Sequence, residues 1–225
     1  FAKRQVLFVV IGIAVMLAAA FLDYRLYRDF ANSAYLVVML ALVGVLFFGV
    51  ERNGARAWYE LPGQTFQIQP AEFAKVAVIV ALAAFVANQG GHLRLVTLSN
   101  AYLMLAVPLG LIYLQPDLGT MLVFVAIGMG VLLVAGAQLK HIVVTSLIGV
   151  VVVVAMFNSD NLGGPALLRQ AQEQRLTAFL DPGFDLQGAS YNINQSQIAI
   201  GAGGLRGQGW LQGTQTNLNL VPEQE

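Results

Sequence analysis

The sequence predicts an all-α fold, a polytopic bundle of membrane-spanning helices, and three observations support this prediction. Hydrophobic residues make up 57% of the 225 residues and charged residues only 11%, whereas a soluble domain has about 25% charged residues. The apolar residues are gathered into six runs, and each has about the length that crosses a hydrocarbon core of roughly 30 Å. Polar segments separate the runs. In chain order the runs are residues 6–22, 35–50, 70–87, 95–114, 118–137 and 142–157.

The chain divides by composition into two parts. We expect residues 1–157 to form a bundle of six transmembrane helices, and the more polar residues 158–225 to form part of a large outer loop with short helices. The formal net charge of +0 gives no sign of nucleic-acid binding. The absence of cysteine excludes a disulfide framework and a thiolate metal site within this chain. The sequence starts at Phe1 and stops at Glu225 inside a polar stretch, so we expect it to be a piece of a larger protein.

The polar segments between the runs set the expected orientation in the membrane. If every run crosses, successive segments alternate between the two sides. The positive-inside rule places the side with more Lys and Arg in its short loops in the cytoplasm. Segments 23–34, 88–94 and 138–141 form that side, with Arg25, Arg28, Arg94 and Lys140; segments 51–69, 115–117 and 158–225 face outward, and their short loops carry Arg52 and Arg56.

The third run, residues 70–87, has two opposite charges within its first two predicted turns. Pro70 suits the first helical position, and Glu72 and Lys75 are three residues apart, so they share one helix face. An ionised side chain that faces lipid costs at least roughly 2.5–3.5 kcal/mol on insertion scales, and such a charge is by default a functional-site hypothesis. The alternative is a helix-packing bridge or a lysine that snorkels to the interface.

The fourth and fifth runs are joined almost without a loop by Gln115-Pro116-Asp117-Leu118-Gly119-Thr120. Asp117 suits the N-cap of the fifth helix, where its carboxylate accepts backbone N–H groups. It also lies at the same predicted end of the bundle as Glu72. A second interpretation is therefore that both carboxylates face one outer cavity. Within the fourth run, Pro108 predicts a kink.

The polar tail contains three recognisable segments. Residues 165–180 have the pattern of a short amphipathic helix that lies on the membrane surface. Residues 191–200 are rich in amide side chains, and the glycine-rich residues 201–209 follow. Because no strand precedes these glycines, the pattern favours a plain turn over a phosphate-binding loop. Arg206 within it adds a side chain suited to anions.

Several short motifs follow one another in order along the whole chain. They are Gly54-Ala55-Arg56-Ala57-Trp58, Gln69-Pro70-Ala71-Glu72 with Lys75, the segment 115–120, Phe179-Leu180-Asp181-Pro182, Tyr191 with Gln195-Ser196, Ala199-Ile200-Gly201, and Gly203-Gly204-Leu205 with Gly207-Gln208-Gly209. In this order they resemble the SEDS family (shape, elongation, division and sporulation). The resemblance is strongest to its RodA-like elongation members, and the FtsW-like division members are near relatives.

The resemblance implies a ten-helix protein of the bacterial inner (plasma) membrane, in which the six runs are family helices two to seven. It implies a peptidoglycan glycosyltransferase that polymerises lipid II, an undecaprenyl-pyrophosphate-linked disaccharide peptide, on the extracytoplasmic face. The implied partners are a class B penicillin-binding protein and the surrounding membrane lipids. The family's proposed catalytic aspartate follows the Pro-Glu motif, here Pro222-Glu223, and falls beyond Glu225. One departure is Asp185-Leu186, where the family often has Asp-Pro.

This reaction gives the candidate residues their expected roles. A carboxylate must take the proton of the attacking hydroxyl, and cations must stabilise the departing pyrophosphate. Lys75 is expected to supply such a cation, oriented by Glu72, while Asp117 is expected to bind a cation or shape the outer cavity. No cofactor is assigned, and a divalent cation, Mg²⁺ or Mn²⁺, at Asp117 is one option. The expected substrate-binding residues are Arg56, Trp58, Gln69, Gln195, Ser196 and Arg206.

Two other functions stay open at the level of sequence. Intramembrane charges and a kinked helix also suit a lipid II flippase or transporter. Charged residues along a path to the cytoplasmic side would support it, but they are found only near the outer end. The other alternative is a membrane scaffold that holds a transpeptidase and has no activity of its own. An activity test on the purified protein separates the scaffold from the enzyme.

Overall fold

A computed structural model gives the fold of the chain. It describes residues 2–52, 55–60, 67–89, 93–159, 172–173, 177, 190–209 and 212–214. These residues belong to two compact units, one formed by Ala14–Ala155 and the other by Phe1–Ile13 with Met156–Glu225.

The chain is mostly helical, which confirms the predicted fold class. Four of the described helices, Tyr24–Phe48, Pro70–Ala87, Leu95–Leu114 and Leu139–Phe157, are long and apolar enough to span a membrane. Two further apolar segments, Gln5–Phe21 and Leu118–Val134, are shorter, so the count of six spans stays a prediction. The helices are α1 Ala2–Phe21, α2 Tyr24–Phe48, α3 Pro70–Ala87, α4 Leu95–Leu114, α5 Leu118–Val134, α6 Leu139–Phe157 and α7 Tyr191–Gly203.

Helix α2 begins earlier than the apolar pattern predicts. The polar segment 23–34 was expected as a loop, but all of it except Asp23 is helical. Asp23 is the N-cap, and its Oδ1 accepts the backbone N–H of Arg25 at 2.9 Å. The prediction was wrong here because hydropathy marks the lipid-crossing part of a helix, whereas a cap and backbone hydrogen bonds extend it into polar sequence.

A small antiparallel sheet between α2 and α3 was not predicted. Its strands are β1 Val50–Arg52, β2 Ala55–Glu60 and β3 Gln67–Ile68, in the order β1-β2-β3. In β2, Ala55 and Ala57 are buried while Arg56 between them is exposed. Successive side chains of a strand point to opposite faces, so this alternation indicates a strand. A prediction based on long apolar runs does not detect it.

The sheet is docked on α2 by one tyrosine. The Tyr59 hydroxyl donates to the backbone oxygen of Ala41 at 3.0 Å. A Cβ placed on Gly44 would lie 2.5 Å from the Tyr59 hydroxyl oxygen. Glycine at position 44 therefore leaves the space that the Tyr59 hydroxyl occupies beside the helix.

The core of the Ala14–Ala155 unit lies among α2, α3, α4 and α5. In a membrane, helix association depends on van der Waals packing and small residues rather than on the hydrophobic effect. Gly128 of α5 shows this, because a Cβ there would clash with the Leu105 side chain of α4. Ala74 and Ala81 of α3 are completely buried in the same way. The largest fully buried apolar side chains are Phe124, Leu42, Leu82, Ile112, Leu132, Val45 and Val78.

Helix α6 joins this unit through polar contacts. The Tyr102 hydroxyl of α4 lies 3.1 Å from Thr145 Oγ1, and Ser146 Oγ lies 3.4 Å from the Met129 sulfur of α5. Most other large apolar side chains of α6 are exposed. That surface suits contact with lipid or with further helices.

In the other unit, α7 covers the amide-rich segment and continues into the glycine run as far as Gly203. Gly204 and Gly207 follow with φ of 52° and 71°, which supports the predicted turn in that part. The predicted amphipathic helix at 165–180 lies outside the described residues, apart from Gln172, Glu173 and Thr177.

Candidate functional site

The candidate site lies at the end of the bundle where α2 and α4 end and α3 and α5 begin. Among the described residues, hydrogen bonds between segments far apart in the chain hold this end together. Gln69 binds Asp117, Gln115 binds the backbone of Leu42, and Arg56 binds the backbone of α2. The fold therefore gathers at one end the sequence-predicted residues of this unit, which are Arg56, Trp58, Gln69, Glu72, Lys75 and Asp117.

The Glu72–Lys75 pair forms as the spacing predicts. Lys75 Nζ lies 2.8 Å from Glu72 Oε1 and 2.7 Å from Oε2. The Lys75 side chain is 25% exposed and that of Glu72 57% exposed, whereas Ala71 and Ala74 beside them are buried in the core. The pair therefore stands near the start of α3 on the side turned away from the core, and its ammonium is partly exposed.

Asp117 is the N-cap of α5 and makes three hydrogen bonds. Its Oδ1 accepts the backbone N–H of Thr120 at 3.1 Å. Its Oδ2 accepts the Thr120 hydroxyl at 2.7 Å and the Gln69 side-chain amide at 3.3 Å. Both interpretations from the sequence placed Asp117 at this end, and the structure adds a direct link to the start of α3.

Gln115 also lies at this end of the bundle, although it was not among the site residues predicted from the sequence. Its side chain is fully buried, and its Nε2 donates to the backbone oxygen of Leu42 at 3.4 Å. Its Oε1 has no hydrogen-bond partner among the described residues. A polar amide between two apolar runs was the available signal, since buried amides usually require partners.

Strand β2 brings Arg56, Trp58 and Tyr59 to this end. Arg56 is exposed, and its Nη1 lies 3.5 Å from the backbone oxygen of Leu46. Trp58 is half-buried and pairs with Val50 of β1. Burial raises the pKa of Tyr59 above its ordinary value of 10.0, because desolvation disfavours the phenolate. Tyr59 thus remains a neutral hydrogen-bond donor at physiological pH.

The remaining predicted substrate-binding residues belong to the other unit. Gln195 lies on α7 with its Oε1 buried and without a hydrogen-bond partner among the described residues. Ser196, the next residue, is exposed. Arg206 is exposed in the turn after α7. Their roles stay predictions.

The described groups around Asp117 do not supply the ligands that a divalent cation needs. Mg²⁺ and Ca²⁺ bind several oxygen ligands, with carboxylates prominent among them. In the part of the chain that the structure describes, no three or more His, Asp or Glu residues are grouped closely enough to hold a metal ion. Because Asp117 already accepts three hydrogen bonds, these residues do not fit a cation site by themselves.

The whole chain matches the model of one protein family. The FtsW/RodA/SpoVE model, which describes a cell cycle protein, matches residues 1–225. The chain belongs to this family. The family assignment agrees with the resemblance inferred from the motifs.

Curated members of the family are similar over nearly the whole chain. Peptidoglycan glycosyltransferase MrdB of Escherichia coli strain K12 is 36% identical over 221 residues, which cover 98% of this chain and 57% of MrdB. Stage V sporulation protein E of Bacillus subtilis is 35% identical, covering 93% of this chain and 55% of that protein. A probable peptidoglycan glycosyltransferase FtsW of Trichlorobacter lovleyi is 34% identical, covering 99% and 56%. The chain thus spans little more than half the length of these relatives.

Solved structures support the same fold. A chain from a peptidoglycan synthase complex, studied for its coordination of polymerization and crosslinking, matches with a TM-score of 0.68 and 32% identity, over 90% of this chain and 57% of that one. The rod shape determining protein RodA of Thermus thermophilus matches with a TM-score of 0.58 and 32% identity, over 67% and 49%. Together with its apolar helices, these matches identify the chain as part of a multi-pass membrane protein.

Proposed function

We propose that the full-length protein is a peptidoglycan glycosyltransferase that polymerises lipid II. Two of the curated relatives bear the name of this activity, one of them as probable. The structural observation that carries the proposal is the Glu72–Lys75 ion pair at the start of α3, with its ammonium partly exposed. A charge pair inside an otherwise apolar run is by default a functional-site hypothesis.

The chemistry assigns a task to each group at this end. The 4-hydroxyl of one lipid-linked disaccharide attacks the anomeric carbon of the growing chain, the C–O bond to pyrophosphate breaks, and undecaprenyl pyrophosphate leaves with the electron pair. Lys75 donates hydrogen bonds to the leaving pyrophosphate, whose negative charge grows in the transition state. Glu72 holds the ammonium in place at 2.7–2.8 Å. The proton of the attacking hydroxyl passes to a carboxylate, which the resemblance to the family places after the Pro222-Glu223 motif.

Arg56 is the second candidate cation. It is exposed on β2, and the short strand keeps it at the same end as α3. A guanidinium binds phosphate oxygens through two parallel N–H groups. Arg206, in the other unit, has the same guanidinium chemistry, and its expected role in substrate binding stays a prediction.

The proposal includes location and partner. We propose that the protein lies in the bacterial inner membrane with this end facing outward, because lipid II presents its sugars there and Arg25, Arg28, Arg94 and Lys140 lie toward the opposite ends of the helices. We also propose a class B penicillin-binding protein as partner. The matched chain from a synthase complex that couples polymerization with crosslinking supports this partner.

The experiment that tests the function is glycan-strand synthesis from labelled lipid II by the full-length protein, with and without the penicillin-binding partner. We expect polymer that disappears when Lys75 is replaced by Ala. A flippase would instead move lipid II across vesicle membranes without making polymer. A scaffold would do neither. Within the described helices, charged residues flank the spans but none except Glu72 and Lys75 lies inside a predicted apolar run, which favours chemistry at one face over transport.

A further inference from the structure

We infer that Asp117 is a positioning residue: with Gln69 it ties the start of α5 to the start of α3 and so fixes where the Glu72–Lys75 pair stands. This inference rests on the proposed function and differs from the expected role of Asp117 as a catalytic or cation-binding carboxylate. Three observations carry it.

The first observation is that the carboxylate is already occupied. A carboxylate offers about four acceptor positions, and three of them receive hydrogen bonds from within the chain. Thr120 supplies its backbone N–H at 3.1 Å and its hydroxyl at 2.7 Å, and Gln69 supplies its amide at 3.3 Å. A general base or a cation ligand needs a free lone pair aimed at its target, and this side chain has at most one left.

The second observation concerns Gln69. It is the N-cap residue of α3, yet its side chain makes no capping hydrogen bond to its own helix. Its amide instead reaches Asp117, which is 48 residues further along the chain. Glutamine is not among the preferred N-cap residues, so a role between helices explains its presence better than a role within α3.

The third observation is that only two hydrogen-bonded contacts separate Gln69 from Lys75. The backbone oxygen of Gln69 accepts the N–H of Glu72 at 3.1 Å, which starts the first turn of α3. Lys75 follows in the next turn and binds Glu72. A shift of Gln69 therefore moves the first turns of α3 and the ammonium with them.

These contacts make a chemical prediction about residue 117. Asparagine is as good an N-cap as aspartate, and its amide can still pair with Gln69 and Thr120 once the Gln69 amide rotates. Alanine removes the link altogether. If the link matters and the negative charge does not, Asp117→Asn should keep function and Asp117→Ala should lose it.

The test measures steady-state polymerisation by the full-length protein with its partner, for Asp117→Asn, Asp117→Ala and Gln69→Leu. A displacement of about 1 Å near the reacting groups can cost on the order of 100-fold in rate. We expect Asp117→Ala and Gln69→Leu to lower kcat by about 10- to 100-fold with KM within about three-fold of wild type. We expect Asp117→Asn to retain at least about a third of wild-type kcat. If Asp117→Asn is as inactive as Asp117→Ala, the charge itself is required and the inference is wrong.

A distance measurement gives a readout that does not depend on activity. Phe73 on α3 and Leu122 on α5 are 60% and 66% exposed, and this chain has no cysteine of its own. Cysteines at these two positions, spin-labelled in full-length protein freed of other cysteines, report the α3–α5 separation by pulsed electron paramagnetic resonance. We expect the wild-type distribution to persist in Asp117→Asn and to shift or broaden in Asp117→Ala and Gln69→Leu. Unchanged distances in both of the latter variants would overturn the inference.

The two readouts also separate this inference from the proposed function. If wild-type protein makes no polymer, the proposed function fails, while the distances still show whether the Gln69–Asp117 link holds α3. If polymer forms and the distances do not respond, the function stands and the positioning role fails.

Discussion

Exchanging the charges of the Glu72–Lys75 pair tests whether the pair only stabilises α3 or whether Lys75 binds the pyrophosphate. The double variant Glu72→Lys with Lys75→Glu keeps two opposite charges three residues apart on the same face. It moves the cation by three residues, which is about 4.5 Å along the helix axis at 1.5 Å per residue. If the pair only stabilises α3, the double variant should be active. If Lys75 binds the pyrophosphate, the double variant should be inactive.

The structure sets the magnitudes. Glu72 is 57% and Lys75 25% exposed, and an ion pair with this much exposure contributes about 0.2–1 kcal/mol to stability. Lys75→Ala should therefore still fold and insert. Removal of a preorganised donor to a developing negative charge costs about 100- to 1,000-fold in kcat. We expect a loss of that size in Lys75→Ala and in the exchanged double variant, because the stability term is too small to produce it.

The assay is glycan-strand synthesis from labelled lipid II, with thermal unfolding in detergent measured on the same samples. Arg28→Ala is the matched control, since Arg28 forms an ion pair with Asp29 at 3.9 Å with side chains 51% and 68% exposed. That pair lies in the first turns of α2, away from the site. Near-normal strand synthesis by Lys75→Ala, or rescue by the exchanged double variant, would refute the assigned role of Lys75.

Two further predictions concern the packing that supports the site. Gly128→Ala should lower the free energy of unfolding by about 1–3 kcal/mol, because its added methyl group overpacks against Leu105. The control is Gly130→Ala, which has no atom within 4 Å of its added Cβ and should be neutral or stabilising by up to about 1 kcal/mol. Equal effects of the two variants on unfolding in detergent would contradict this packing. Tyr59→Phe should cost about 1 kcal/mol by removing the hydrogen bond to Ala41. Because burial raises the pKa of Tyr59 above 10.0 in the folded state, the folded state binds this proton more tightly, and wild-type stability should fall as pH rises from 10 through that higher pKa. The Phe variant should lack this part of the pH dependence in thermal unfolding followed from about pH 8 to 11.

Much of the fold was predictable because membrane-spanning helices appear in the sequence as long apolar runs. With no water to satisfy backbone groups in lipid, an apolar run of this length has to be helical, and the runs at 70–87 and 95–114 match α3 and α4 residue for residue. The polar ends were less predictable. The first eleven residues of α2 are helical because of capping and backbone hydrogen bonds. The three strands are marked only by alternation over a few residues. Hydropathy reports neither signal.

The candidate site shows the same division. The sequence by itself determined the ion pair, because helical spacing places residues three apart on one face, and it determined the N-cap role open to Asp117. Only the tertiary structure decided that Gln69 and Asp117 bind each other, that Gln115 is buried against α2, and that Tyr59 docks the sheet over Gly44. These contacts join residues 15 to 73 positions apart. The physical reason is that local spacing fixes geometry within one helix, whereas the meeting of two helices depends on the packing of all the side chains between them.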